Sequence, residues 1–214
     1  MVFMKLFLSC CNLLFIFLSS CSPILGQSEP LFNGKTFKGW EGDTLSTWRI
    51  EKGAIVGGSL MNVVPHNDFL CTDRSYGNFI MKLKIKLTGN DGFINSGIQF
   101  RSQRLADPPF EMSGYQADWG EGYWASLYDE SRRNKTLMAP DSVQVMSWIK
   151  RDEWNDYEIR AEDRRIRLYI NGHLTVDYTE TDSGIPQSGL IGLQIHGGGK
   201  ARVAFKEISL EEIK

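Results

Sequence analysis

The 214-residue chain has little cysteine, little histidine and no surplus of positive charge. Cys10, Cys11 and Cys21 crowd into the N-terminal stretch, which leaves Cys71 alone in the rest of the sequence. A single thiol there excludes an intradomain disulfide and a cysteine metal cluster. The 24 Lys and Arg are outnumbered by 26 Asp and Glu, so nothing is in excess to neutralise phosphates, and nucleic acid is not an expected partner. No phosphate-cradling glycine loop, His-Glu-x-x-His or nucleophile elbow is present. Low complexity and disorder are excluded by 42% apolar and 12% aromatic residues. What is abundant is glycine and aromatic side chains, with 21 Gly, 6 Trp and 7 Tyr. That mixture suits one turn-rich β domain.

The N-terminal residues have a different character. Lys5 precedes an uncharged apolar run from Leu6 to Leu18, shorter than the roughly 20 residues of a membrane span. A basic residue, a short apolar stretch and small residues before a cleavage point describe an export signal. Leu18-Ser19-Ser20-Cys21 resembles the lipobox of bacterial lipoproteins, in which the cysteine is lipidated and becomes the mature N-terminus. The expectation is a lipoprotein signal peptide over residues 1–20, a tether over 21–30 and one domain over 31–214. The protein would then be exported and held in the cell envelope through lipid on Cys21. Cleavage after Gly26 would instead leave a soluble secreted protein. Loss of residues 1–20 removes Lys5 and no acid, leaving 23 basic and 26 acidic side chains.

Period-two patterning dominates the domain. Phe79, Met81, Leu83, Ile85 and Leu87 alternate with Ile80, Lys82, Lys84 and Lys86, as in a strand with one core face and one solvated face. Further strands are expected over Trp154–Ala161, Ile166–Ile170, Leu174–Tyr178, Gly189–His196 and Ala201–Leu210. Asn171-Gly172 signals a type I′ hairpin, because both turn residues need positive φ. Gly57-Gly58 reads as a similar turn between Ala54–Val56 and Leu60–Val64. Only Ser142–Ile149 looks helical. Cys71, in the apolar run Phe69-Leu70-Cys71-Thr72, is expected to be a buried, inert thiol. About a dozen strands at turn spacing predict an all-β sandwich of jelly-roll type, built from two antiparallel sheets.

Three strand faces carry unusual polar residues. Gln99 and Arg101 alternate with Ile98 and Phe100; Gln116 and Asp118 share a face; Gln194 and His196 lie opposite Leu193 and Ile195. If these strands are neighbours, the shared face offers hydroxyl-binding amides and a carboxylate–imidazole combination suited to acid–base work. Equally, they serve as ordinary hydrogen-bonded surface residues. Between them runs a loop with Trp119, Tyr123 and Trp124, followed by Tyr128-Asp129-Glu130-Ser131-Arg132-Arg133. Aromatic faces stack on sugar C–H surfaces, and guanidinium groups grip hydroxyls. Trp119 and Trp124 divide evenly between sugar contact and core. Trp148 and Trp154 read as core, and His66 and His173 as surface. Asp129 and Glu130, adjacent on a strand, point to opposite faces and do not form a two-carboxylate site by themselves.

Leu31-Phe32-Asn33-Gly34-Lys35 with Gly39-Trp40, Tyr76-Gly77-Asn78-Phe79, and Asn95-Ser96-Gly97-Ile98 with Arg101 resemble the bacterial 3-keto-disaccharide hydrolase domain, also described as a 3-keto-glycoside lyase/hydratase. The match continues through Trp154-Asn155-Asp156-Tyr157-Glu158-Ile159, Asn171-Gly172 and Gly192-Leu193-Gln194 with His196-Gly197, and so covers residues 31 to about 210. The resemblance implies a concanavalin-like jelly roll, an oxidised-glycoside substrate, and elimination across carbons 1 and 2 or hydration. The sequence departs from the family at Gly114-Tyr115-Gln116-Ala117-Asp118, where the usual acid is two positions later. It departs again at Leu193-Gln194-Ile195-His196-Gly197, where an acid is lost. The implied roles are His196 as base, Arg101 or a divalent metal ion as enolate stabiliser, and Asp118 or Glu130 as acid or metal ligand. Gln99, Gln116, Trp119, Trp124, Tyr128, Arg132 and Gln194 would bind the sugar. No cofactor is implied with certainty, and no metal ligands are assigned. A non-catalytic, lectin-like carbohydrate-binding domain is the alternative.

Overall fold

The computed structural model describes residues 28–213. The expected signal peptide, Cys21 and most of the expected tether lie outside the described residues. In chain order the strands are β1 Glu29–Pro30, β2 Trp40–Glu41, β3 Trp48–Glu51, β4 Ala54–Gly58, β5 Asp68–Thr72, β6 Phe79–Gly92, β7 Asn95–Arg104 and β8 Met112–Gly120. They continue with β9 Leu127–Glu130, β10 Lys135–Met138, β11 Asn155–Glu162, β12 Arg165–Ile170, β13 His173–Thr179, β14 Leu190–Ile195 and β15 Gly199–Glu212. Among the described residues one helix forms, α1 Ser142–Trp148, capped by the Asp141 carboxylate, which accepts from the backbone of Val143 and Gln144.

Two antiparallel sheets face each other. One runs β13-β12-β11-β6-β15-β4-β3 with β1 on β15; the other runs β10-β9-β8-β7-β14-β5-β2. The alternation in β6 resolves as read, with Phe79, Met81, Leu83, Ile85 and Leu87 buried. These side chains join Ile98, Phe100, Tyr115, Ala117, Trp119, Leu193 and Ile195 of the opposite sheet in one core. Burying a large apolar side chain contributes about 1.5–3 kcal/mol, so this interleaving supplies the main stabilisation of the fold. The inner faces of β7, β8 and β14 are thereby committed to packing, and their other faces are free for chemistry. Among the described residues no helix is long and apolar enough to cross a membrane.

The Asn171-Gly172 hairpin forms as expected, with φ of 49° and 85° at its two turn residues. Gly57-Gly58 does not turn the chain. Both glycines end β4, where Gly57 pairs with Trp48 and Val203. A Cβ on Gly57 would lie 2.6 Å from the Trp48 ring, and one on Gly58 would lie 2.3 Å from the Ala201 carbonyl. Close packing, not chain reversal, demands glycine there. Leu60–Val64 consequently runs as an irregular segment.

Candidate active site

The strand order β9-β8-β7-β14 brings together residues scattered over a hundred positions. Register places Gln99 beside Gln116, Gln116 beside Tyr128, and Gly97 between Asp118 and Gln194. Glu130 lies across from Gly114 on the same face. Gly97 leaves the space in which the Gln116 side chain rests; a Cβ at position 97 would stand 2.8 Å from Gln116 Cγ. His196 follows directly after β14, its backbone N–H donating to the Asn95 carbonyl. The result is a cavity of about 160 Å³ lined by Phe93, Asn95, Gln116, Asp118, Tyr123, Tyr128, Glu130 and His196. Clefts of about 420 Å³ occur elsewhere, including one against Lys82, Lys84 and Glu158 of the other sheet. None of them gathers two carboxyls and an imidazole, so chemistry rather than size identifies the site.

A directional hydrogen-bond chain organises the floor. Ser102 Oγ donates to Gln99 Oε1 at 2.7 Å, Gln99 Nε2 donates to Gln116 Oε1 at 3.0 Å, and Gln116 Nε2 donates to Asp118 Oδ1 at 3.0 Å. Asn95 Nδ2 approaches the same Asp118 oxygen at 3.5 Å. Burial pushes the Asp118 carboxyl up to about 8, against the opposing hydrogen bonds from Gln116 and Asn95 and with a further push from Glu130. Because Oδ1 is already accepting from Gln116 and Asn95, the proton belongs on Oδ2. Burial also raises Glu130, to about 7, with Glu111 adding like-charge repulsion.

His196 is set for the opposite role. Its Nδ1 lies 2.7 Å from the Gly197 carbonyl, which can only accept, so Nδ1 carries the proton and Nε2 keeps its lone pair. Burial lowers the His196 pKa and holds the imidazole neutral. Two carboxyls raised and one imidazole lowered constitute an acid–base set for pH near neutrality.

Of the residues expected from sequence, His196, Asp118, Glu130, Gln116 and Tyr128 converge here. Gln99 lies beneath the cavity as part of the chain to Asp118. Gln194 is fully buried on the same face, and its amide atoms have no hydrogen-bond partner among the described residues.

Four residues lie elsewhere. Arg101 sits at a β-bulge with φ of 48°, which breaks the alternation of β7 and swings the side chain out of the expected face. It donates to the carbonyls of Gly77 (2.9 Å) and Asp163 (2.6 Å), to Gln187 Oε1 (2.7 Å) and to Asn78 Oδ1 (3.0 Å). With its guanidinium committed to these acceptors, it does not line the cavity and instead ties the sheets together. Arg132 stacks over Tyr115 at 4.5 Å and pairs with Asp129, which is buried on the core side of β9 and also holds Arg133. Trp119 is core, edge-on to Tyr157 at 5.9 Å. Trp124 packs edge-on against Trp119 at 4.9 Å.

Phe93 and Asn95 line the cavity, although the sequence pattern does not mark them as site residues, and so does Tyr123, which the sequence marks only as one aromatic of the loop after β8. Asn95 shares the parity of Gly97 and Gln99, and that parity is the signal that could have found it. Phe93 and Tyr123 occupy turns, where no periodicity assigns a face. Among the described residues no group of three or more His, Cys, Asp or Glu side chains is arranged to hold a metal ion. The donor set does not fit a protein-built metal centre.

A family model described as a 3-keto-alpha-glucoside-1,2-lyase-like domain matches residues 27–211. Among solved structures, a "putative glycosyl hydrolase" from Parabacteroides distasonis superposes with a TM-score of 0.64 at 21% identity, over 88% of this chain and 94% of its own. A carbohydrate-binding module from Bacillus subtilis gives 0.62 at 18% identity, over 81% and 96%. The Bacillus licheniformis β-glucanase gives 0.59 at 13%, over 88% and 98%. At these identities the likeness shows the jelly-roll fold alone. No curated relative matches the chain in sequence.

Proposed function

The chain belongs to the family of 3-keto-alpha-glucoside-1,2-lyase-like domains, and we propose that it is an enzyme that cleaves 3-keto-glycosides by elimination, with hydration completing a net hydrolysis. The observation that carries this reading is the meeting, in one small cavity, of an imidazole whose pKa burial lowers with two carboxyls whose pKa values burial raises.

The chemistry follows from the ketone. A carbonyl at carbon 3 acidifies the proton on carbon 2, and His196 Nε2 is the lone pair positioned to take it. The electrons left on carbon 2 delocalise onto the 3-oxygen. With Arg101 elsewhere, neutral donors meet that oxygen: the Glu130 carboxyl and the Tyr128 hydroxyl. A carboxyl kept protonated by an apolar site can donate to a developing oxyanion. Collapse of the enolate expels the glycosidic oxygen from carbon 1, and Asp118 Oδ2–H supplies its proton. Water then adds at carbon 1 of the resulting enone. Gln116 and Asn95 hold hydroxyls.

The protein also works outside the cytoplasm in this proposal, attached through Cys21 of the Leu18-Ser19-Ser20-Cys21 sequence. β1 enters the domain beside Ser209 and Leu210 of β15, whereas the cavity wall at Phe93 packs on Gly199. Those points are separated by roughly 35 Å of strand, so an anchored domain presents its cavity away from the attachment.

A lectin-like role uses the same aromatic rim and amides without turnover. Incubation of a 3-keto-glucoside in D2O, followed by NMR for carbon-2 exchange and by absorbance for the enone, separates the two. The wild type is expected to exchange and eliminate, and His196→Ala to lose both by at least about 100-fold. Binding without exchange in the wild type establishes the lectin reading; full activity in His196→Ala refutes the base.

A further inference from the structure

We propose that Phe93 and Tyr123 form an aromatic corner at the cavity mouth that selects glycosides whose leaving group is a flat apolar ring. The proposal rests on the functional reading above and names the leaving-group class for that site.

Both rings stand at the mouth with 37% and 38% of their surface exposed. Their centroids are 6.4 Å apart and their planes meet at 90°. Phe93 is also edge-on to His196 at 4.6 Å, and Tyr123 edge-on to Tyr128 at 6.2 Å. Four rings, each near-perpendicular to the next, thus run from the base to the far wall. One plane offers a face and the other an edge, the two arrangements in which a further aromatic ring is best received.

The corner is held in place before any ligand arrives. The Phe93 N–H donates to the Gly198 carbonyl at 3.2 Å, and the Phe93 carbonyl packs so tightly on Gly199 that a Cβ there would lie 2.2 Å away. The Tyr123 N–H donates to Gly120, and the Tyr123 carbonyl accepts from Ser126 N and Oγ at 3.1 and 2.8 Å. Rings already fixed in position lose little freedom on binding.

Size and polarity assign the occupant. A cavity of about 160 Å³ accommodates the reacting ring against Gln116, Asp118, Glu130 and His196, so the group expelled from carbon 1 projects past the rim. There the wall is aromatic. A second sugar stacks its C–H face on one ring and turns its hydroxyl edge to the other, whereas an aryl group meets one ring face-on and the other edge-on.

The test compares 3-keto-glucosides bearing a phenyl or a methyl leaving group on the full chain, its Phe93→Ala and Tyr123→Ala variants, and Tyr123→Phe. Each alanine variant is expected to lower the phenyl-to-methyl ratio of kcat/KM about 10-fold, whatever common loss follows from disturbing His196 or Tyr128, with Tyr123→Phe keeping the wild-type ratio. Equal losses for both compounds, or none, overturn the proposal. Binding of unoxidised phenyl and methyl glucosides, followed by NMR titration, judges the corner separately from turnover. A phenyl preference that disappears in Phe93→Ala supports it even if no 3-keto-glycoside is cleaved. Equal binding of the two overturns it even if cleavage is efficient.

Discussion

Replacing Asp118 by asparagine isolates the energetic cost of the proposed acid. Folding carries this carboxyl from an ordinary 3.8 to about 8. Between those values the folded protein binds a proton that the unfolded chain has released, so stability falls as pH rises. Each pH unit across that interval is worth about 1.36 kcal/mol, so an interval of about four gives roughly 5–6 kcal/mol once both limits are passed. That is a large share of the roughly 5–15 kcal/mol typical of a domain. Asparagine keeps an Oδ1 that accepts from Gln116 and Asn95, and it carries no titratable proton. Urea unfolding of both proteins from pH 5 to pH 8 should therefore show Asp118→Asn gaining on the wild type by about 1.4 kcal/mol per pH unit, or roughly 4 kcal/mol in all. Glu130 titrates in both proteins, and because its charge pushes the Asp118 carboxyl up, repeating the comparison in a Glu130→Gln background removes that coupling from the difference. The variant should be the more stable protein at pH 8 and a poor catalyst. Parallel stability curves would mean that Asp118 is ionised in the fold, and the assignment of Oδ2–H as acid would fail.

Two further substitutions separate architecture from chemistry. Arg101→Met leaves the acceptors at Gly77, Asn78, Asp163 and Gln187 without their donor; the expected loss is about 3–5 kcal/mol in urea unfolding, with kcat per folded molecule unchanged. A selective fall in kcat at full stability would restore Arg101 to the enolate. Gly97→Ala places a methyl group 2.8 Å from Gln116 Cγ; it should cost about 1–3 kcal/mol and, by displacing the donor to Asp118, lower kcat at least 10-fold, measured by initial rates. Wild-type rates would show that the amide chain is dispensable.

Much of the site was readable from alternation. The parity of β8 and β14 put Gln116 with Asp118 and Gln194 with His196, and the same rule sent Asp129 and Glu130 to opposite faces. Trp119, expected to bind the sugar, shares the core parity of Ala117 and packs inside, so there the loop reading misled. The rule failed at Arg101, where a bulge inserts a residue that leaves no mark in an apolar–polar pattern. It failed at Gly57-Gly58 because a glycine pair looks alike whether it reverses a chain or makes room for Trp48 and Ala201. Several segments that carry the family resemblance prove architectural. Asn78 and Gly77 receive Arg101, and Asn155 accepts from the Asn171 side chain that also reaches the Trp148 carbonyl.

Local sequence determined the period-two strands, the Asn171-Gly172 hairpin and, away from the bulge at Arg101, the face on which a strand residue stands, because these depend on neighbours one or two positions away. Strand order, and with it the meeting of His196 with Asp118 and Glu130, was decided only in three dimensions. So was the burial that raises two carboxyls and lowers one imidazole, since desolvation is a property of the surrounding fold and not of the residue. Phe93 and Tyr123 belong to the same class. They sit in turns whose direction is set by Gly198, Gly199 and Gly120, and only the packed sandwich turns them toward one mouth.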